Sequence, residues 1–162
     1  MKIVVQRVKN ALVEVDSNVI GQIDKGLLLF VGFTDGDDKD KIDFLVRKVL
    51  NLRIFDDDKG VMNLSVMDVG GRILSISQFT LYADTSGGNR PSYSKAMDSK
   101  KATLLYNYFN NKLSEKIHVE IGEFGSDMKV SLVNDGPENP QPSFLLPEKQ
   151  GNHYPLLYLK RQ

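Results

Sequence analysis

Residues 26–32 read Gly-Leu-Leu-Leu-Phe-Val-Gly, and this stretch constrains the fold more than any other. The apolar run Leu27 to Val31 is too short for an ordinary helix and suits a strand bounded by glycines. Side chains alternate faces along a strand, so a run without polar interruptions needs cover on both sides of its sheet. The residues before it supply neighbours. Ile3 to Val8 is half apolar and β-branched, and Ala11-Leu12-Val13-Glu14-Val15 alternates. Asp16-Ser17-Asn18 is a turn before Val19 to Ile23, and Asp24-Lys25-Gly26 is a second turn. The expectation for residues 2–33 is a meander of three or four strands.

Helices come next. Ile42, Leu45, Val46, Val49 and Leu50 fall on one stripe at helical spacing, with Asp37 or Asp38 placed to cap the first turn. A second stripe, Ala102, Leu105, Phe109 and Leu113 with Tyr106 beside it, follows a cap at Asp98 or Ser99. Between them, Ile54-Phe55 ends a strand before the turn Asp56 to Gly60. Gly70-Gly71 is a turn, and Arg72 to Phe79 is a strand. Two further strand-like runs cover His118 to Ile121 and Met128 to Val133. The sum is an α+β fold of mostly antiparallel strands with two helices.

At 162 residues the chain is long enough for one domain with its own core. The 41% apolar and 26% charged composition is that of a globular protein. Residues 1–137 form this domain. Residues 138–162 diverge in character, with Pro140, Pro142, Pro147 and Pro155 discouraging regular sheet; Phe144-Leu145-Leu146 and Leu156 to Leu159 are the stretches able to pack. No apolar run approaches the roughly 20 residues of a membrane span or the roughly 7–15 of a secretory signal, so the protein is expected in the cytoplasm, without a membrane partner. The formal net charge is zero. A nucleic-acid partner would therefore need a local basic patch rather than a global field.

The chemical inventory is mostly negative. Without cysteine there is no thiol nucleophile and no zinc–thiolate site. His118 and His153 are far apart and lack a serine-and-acid context. The acids between Asp35 and Asp43 do not match a calcium loop, so no metal is expected. No phosphate loop or dinucleotide fingerprint occurs. Two segments stand out. Ser77-Gln78-Phe79-Thr80-Leu81-Tyr82 places hydroxyls and an amide at the end of an apolar strand; continued alternation would put Ser77, Phe79 and Leu81 on one face. Asn134-Asp135-Gly136-Pro137 is, by spacing alone, an ordinary turn, although Gly-Pro is also where a cis peptide is cheap.

Together these segments resemble the D-aminoacyl-tRNA deacylase family, whose signatures are Ser-Gln-Phe-Thr, present as Ser77 to Thr80, and Asn-x-Gly-Pro-Val-Thr, present as Asn134 to Pro137. Val5-Gln6-Arg7-Val8, Asn51-Leu52-Arg53-Ile54-Phe55, Leu81-Tyr82-Ala83-Asp84, Gly122-Glu123-Phe124-Gly125 and Met128-Lys129-Val130-Ser131 match in the same order. The resemblance implies a barrel-like α/β subunit in a homodimer with a cross-subunit active site and no cofactor. The implied reaction is hydrolysis of the ester joining a D-amino acid, or glycine mischarged on tRNA(Ala), to the 3′-terminal adenosine of tRNA. In that scheme the adjacent 2′-hydroxyl helps activate water, and main-chain N–H groups near Phe79 and Thr80 stabilise the oxyanion. Ser77 and Gln78 shape the adenosine pocket. Thr80 has been viewed as a nucleophile in the family, but with no base beside it in sequence a positioning role is preferred here.

The same resemblance implies that Gly136 and a cis Pro137, inserted from the partner subunit, hold the amino group and exclude L side chains. Arg7 would support that corner and Met128 would line the pocket. Glycine at position 136, where a related group has threonine, favours strict D selectivity. After Pro137 the family continues Val-Thr into a final strand, whereas this chain has Glu138-Asn139-Pro140-Gln141-Pro142. That departure motivates an alternative, a non-catalytic nucleic-acid-binding member of the same fold. Candidate tRNA contacts are Arg90, Lys95, Lys100 and Lys101.

Overall fold

The structure is a computed structural model that describes residues 1–136 and two later strands, Phe144–Leu146 and Tyr154–Leu157. The elements in chain order are β1 (Lys2–Val15), β2 (Asn18–Ile23), β3 (Gly26–Gly32), α1 (Lys39–Asn51), β4 (Phe55–Asp56), β5 (Met62–Leu64) and β6 (Arg72–Ser77). A 3-10 turn (Phe79–Tyr82), α2 (Ser99–Ser114), β7 (Val119–Ile121), β8 (Lys129–Asn134), β9 (Phe144–Leu146) and β10 (Tyr154–Leu157) complete them. The α+β expectation with two helices and a barrel-like sheet holds. The main sheet is mixed, in the order β7-β6-β3-β1-β10-β9, with β2 and β8 also paired to β1.

The opening segment differs from a meander. Ile3 to Val8 and Ala11 to Val15 are one strand of 14 residues. Its first half pairs antiparallel with β3, and its second half pairs with β2 on one side and β8 on the other. Thus β3 returns to β1 rather than to β2. An irregularity between Val8 and Asn10 shifts the register and leaves Lys9 and Asn10 exposed. A bulge of this kind inserts a residue and reverses which parity faces inward. Before it, odd-numbered Ile3 and Val5 face the helices; after it, odd-numbered Ala11 and Val13 face the barrel interior with Val8. One strand thereby serves two cores.

The both-face cover demanded by residues 27–31 is present. Leu27, Leu29 and Val31 pack under α1 and α2, while Leu28 turns into the smaller inner cluster with Leu74 and Ile76. Helix α1 buries the five residues its periodicity marked, Ile42, Leu45, Val46, Val49 and Leu50. Asp38 is its cap, accepting from the Lys41 N–H. Asp37 is buried instead against the Met1 ammonium and accepts the Thr34 N–H at 2.9 Å. Helix α2 is capped by Asp98 and buries Ala102, Tyr106, Phe109, Asn110 and Leu113.

In the tail, β10 rather than β9 lies against β1, in parallel, and β9 pairs with β10. Pro155, expected to discourage regular sheet, lies inside β10 opposite Leu145, at the register where β9 and β10 pair. Glu138 and the residues between these strands lie outside the described residues.

Candidate active site

The Ser77–Thr80 segment is set by the parallel pairing of β3 and β6, in which Val31 stands opposite Ser77. The last rung is the Gln78 N–H donating to the Val31 carbonyl at 2.7 Å. A Cβ on Gly32 would stand 2.8 Å from the Gln78 carbonyl oxygen, so glycine is what permits this close crossing. Beyond it the strand does not continue as alternation suggested. Leu81 N–H donates to Gln78 O at 3.3 Å and Ala83 N–H to Thr80 O at 3.0 Å, a 3-10 turn. Ser77, Phe79 and Leu81 therefore do not share a strand face. The i→i+3 pattern leaves the N–H groups of Phe79 and Thr80 without an acceptor inside the turn. Lys2 Nζ pins the turn by donating to Leu81 O at 3.0 Å while lying over the buried Tyr82 ring.

This turn borders a cleft of ≈ 580 Å³. One wall is the strand end, with Val31, Ser77, Gln78 and Phe79; α2 and the segment before it contribute Tyr93, Met97 and Ala102. The loop between β7 and β8 contributes Phe124, Asp127 and Met128. Phe79 is 59% exposed and meets Tyr93 edge to face at 5.1 Å, an aromatic pair at the rim. Gln78 Nε2 donates to Thr80 Oγ1, so that hydroxyl is already engaged. Among the described residues lining the cleft there is no histidine or lysine.

Four of the expected site residues, Ser77, Gln78, Phe79 and Met128, meet at this cleft, and Thr80 touches it through Gln78. Arg7, Asn134 and Gly136 do not line it. Arg7 stands opposite Leu27, and the cleft wall begins at Val31 on the same strand, about 13 Å further along at ~3.3 Å per residue.

Arg7 organises a second centre. It is buried, and its Nη1 donates to Ile54 O at 2.7 Å and pairs with Asp56 Oδ2 at 3.3 Å. Its Nε donates to Asp135 O at 3.2 Å and lies 3.4 Å from Asp135 Oδ2. The Asp135 N–H returns a bond to Arg7 O at 2.9 Å. Asn134 Nδ2 donates to Gly136 O at 2.9 Å, and Gly136 has φ +102°, a conformation that favours glycine. Arg7 thus holds the corner of its own chain, from both ends. Pro137 and its peptide bond lie outside the described residues.

Tyr93, Phe124 and Asp127 were not singled out in the sequence as site residues. Tyr93 carried a signal, as the sole aromatic residue between Asp84 and the α2 cap. Asp127 carried none. His118 is exposed and sits 2.7 Å from Glu120 Oε1, away from the cleft; His153 lies outside the described residues.

Arg90, Lys95, Lys100 and Lys101 are all exposed. Lys95 Nζ bonds Asp84 Oδ2 at 2.7 Å, and Asp84 and Ser92 exchange backbone hydrogen bonds of 2.8 Å. The hydrogen bond from Lys95, ahead of those from Ser86, drives the Asp84 carboxyl well below its ordinary 3.8. A carboxylate with a depressed folded pKa contributes stability above the unfolded value and loses it as pH falls through the folded value. Loop 84–92 is therefore expected to loosen only below pH 3.8, whereas in Asp84→Asn it should be equally loose at pH 5 and pH 7. Limited proteolysis across that range checks this; an Asp84→Asn loop as resistant as wild type at pH 7 would contradict it.

A family model described as D-Tyr-tRNA(Tyr) deacylase matches residues 4–140. Among solved structures, a c-Myc DNA unwinding element binding protein is 38% identical at a TM-score of 0.79, over 83% of this chain and 93% of that one. A probable eukaryotic D-amino acid tRNA deacylase superposes with a TM-score of 0.70 at 15% identity, over 83% and 94%. The second likeness speaks to the fold.

Proposed function

Because this chain belongs to the D-Tyr-tRNA(Tyr) deacylase family, a family of hydrolases acting on D-aminoacyl-tRNA in translation quality control, we propose that its cleft removes D-amino acids, and glycine mischarged on tRNA(Ala), from the 3′-terminal adenosine. Water adds to the ester carbonyl, the bond to the ribose oxygen breaks, and free amino acid and tRNA leave. The observation that carries this reading is a cleft bordered by the 3-10 turn whose described lining holds no histidine or lysine, with Asp127 as its carboxylate. A reaction assisted by the substrate's own 2′-hydroxyl asks the protein only for placement and oxyanion stabilisation, which can supply most of an enzyme's acceleration. The N–H groups of Phe79 and Thr80 take the oxyanion, Ser77 and Gln78 shape the adenosine pocket, and Met128 lines it. No cofactor is called on.

The Asn134–Pro137 corner serves the cleft of a second copy in a homodimer. This is supported by Arg7 holding Asp135 at a point remote from the chain's own cleft. Main-chain carbonyls there take the substrate ammonium, and an L side chain is rejected by collision rather than outcompeted. The exposed Lys100 and Lys101 follow Ser99, which lines the cleft, and approach the tRNA backbone together with Arg90. The site of action is the cytoplasm; no helix of the described residues is long and apolar enough to cross a membrane.

Purified protein should release D-Tyr from D-Tyr-tRNA and spare L-Tyr-tRNA under the same conditions. Equal release of both would remove the rejection argument. Thr80→Ala should retain substantial activity, within roughly tenfold of wild type, because a positioned hydroxyl contributes less than a nucleophile. Complete loss with intact tRNA binding would make Thr80 the attacking group. A second reading, nucleic-acid binding without hydrolysis, is favoured by the 38% identity to a DNA-unwinding-element binding protein. It predicts tRNA retention with no release of either amino acid.

A further inference from the structure

Behind the cleft lies one carbonyl on which three of its walls converge. Ser75 O, in β6, accepts the Tyr106 hydroxyl at 2.7 Å and the Gly122 N–H at 2.9 Å. Two residues beyond Ser75 is Ser77, at the cleft's strand-end wall. One turn before Tyr106 on α2 is Ala102, another lining residue. Gly122 opens the loop that carries Phe124 and Met128. That loop is drawn tightly in, since a Cβ on Gly122 would stand 2.6 Å from Met128 Sδ and 2.9 Å from Ile76 Cδ1. The Tyr106 ring is 1% exposed and lies 5.8 Å from the Phe124 ring.

We propose that Tyr106 is a positioning residue, whose hydroxyl locks β6, α2 and the 122–128 loop in one register and so sets the shape of the reacting cleft. The inference rests on the deacylase reading of that cleft. A ring filling the core would need no hydroxyl. The surroundings are also more polar than packing requires: Ser75 and Asn110 are buried beside the hydroxyl. Burying polar groups costs desolvation, and apolar replacements would serve a purely structural core better. The burial that surrounds the phenol raises its pKa, so it stays a neutral donor throughout the working pH range.

The test compares Tyr106→Phe with Val49→Ala, a core truncation in α1, a helix that contributes no residue to the cleft lining, after both are shown by thermal melts to be folded. On D-Tyr-tRNA, Tyr106→Phe should lower kcat roughly 10- to 100-fold with KM within about twofold, the scale expected for misplacement of reacting groups. Val49→Ala should leave kcat near wild type despite a similar fall in Tm. Amide hydrogen exchange gives a readout independent of activity: segments 72–82 and 119–128 should exchange faster together in Tyr106→Phe only. Unchanged exchange in those segments, unchanged kcat, or an equal kcat loss in Val49→Ala would each overturn the proposal. A wild-type protein inert toward D-Tyr-tRNA would instead sink the deacylase reading, and the exchange comparison would still decide whether Tyr106 sets the register.

Discussion

Arg7→Met is expected to lower kcat/KM on D-Tyr-tRNA by roughly 100-fold while leaving a folded protein. Methionine fills much of the volume of the arginine stem but offers none of the five guanidinium donors. Two main-chain carbonyls, those of Ile54 and Asp135, would lose their side-chain donor, and the Asp56 and Asp135 carboxylates would lose a cation. Losing buried donors costs about 1–3 kcal/mol, and both carboxylates keep access to water, so the loss should stay at the lower end. The functional loss is larger because Asp135 immediately precedes Gly136, and the proposed chirality check depends on where that corner's carbonyls stand. The reciprocal Asp135 N–H to Arg7 O bond remains and keeps the segment attached but less sharply placed. Arg7→Lys should fall between, since one ammonium cannot span Ile54, Asp56 and Asp135 at once. Melting temperature and aminoacyl release measured on the same samples separate the two effects. Wild-type rates in Arg7→Met would show that the corner has no part in the reaction.

Gly26→Ala should have the largest effect on stability, a loss on the order of 3–5 kcal/mol. The added Cβ would stand 1.9 Å from the Arg72 carbonyl oxygen and 2.7 Å from the Arg72 nitrogen. These are backbone atoms of the neighbouring strand and cannot rotate away, so β3 and β6 must separate where their parallel ladder begins. A change of that size corresponds to a fall of roughly 10 °C in Tm for a chain of this length. Gly60→Ala is the contrast: nothing lies within 4 Å of its Cβ position, and only its φ of +74° opposes the change. That strain should cost about 1–2 kcal/mol. Equal melting temperatures for Gly26→Ala and wild type would mean that the two strands do not approach as described.

The same contrast separates what was legible in the sequence from what was not. Helices α1 and α2 could be placed with their caps and buried faces because periodicity and N-capping are local. Ile42 to Leu50 carry the stripe, and Asp38 and Asp98 supply the caps. The demand of Leu27 to Val31 for cover on both faces was legible for the same reason, since alternation on a strand involves only the chain itself. The Ser77–Thr80 and Asn134–Gly136 segments stood out chemically from their residue types, but a function came to them only through family likeness.

The arrangement of those pieces depended on contacts distant in sequence. Nothing local distinguishes a β3 that follows β2 in a meander from one that returns to β1. The irregularity at Lys9 and Asn10, which lets β1 face two cores, has meaning only once β8 pairs there. Nor could alternation foresee that the segment after Ser77 coils into a 3-10 turn, because the crossing over Gly32 ends the ladder. Above all, the chain alone did not reveal that Ser77 to Thr80 borders a cleft while Arg7 holds Asp135 elsewhere. Local rules choose helices, strands and turns; which polar group reaches which carbonyl is settled by sheet register, and register is a property of strands brought together from far along the chain.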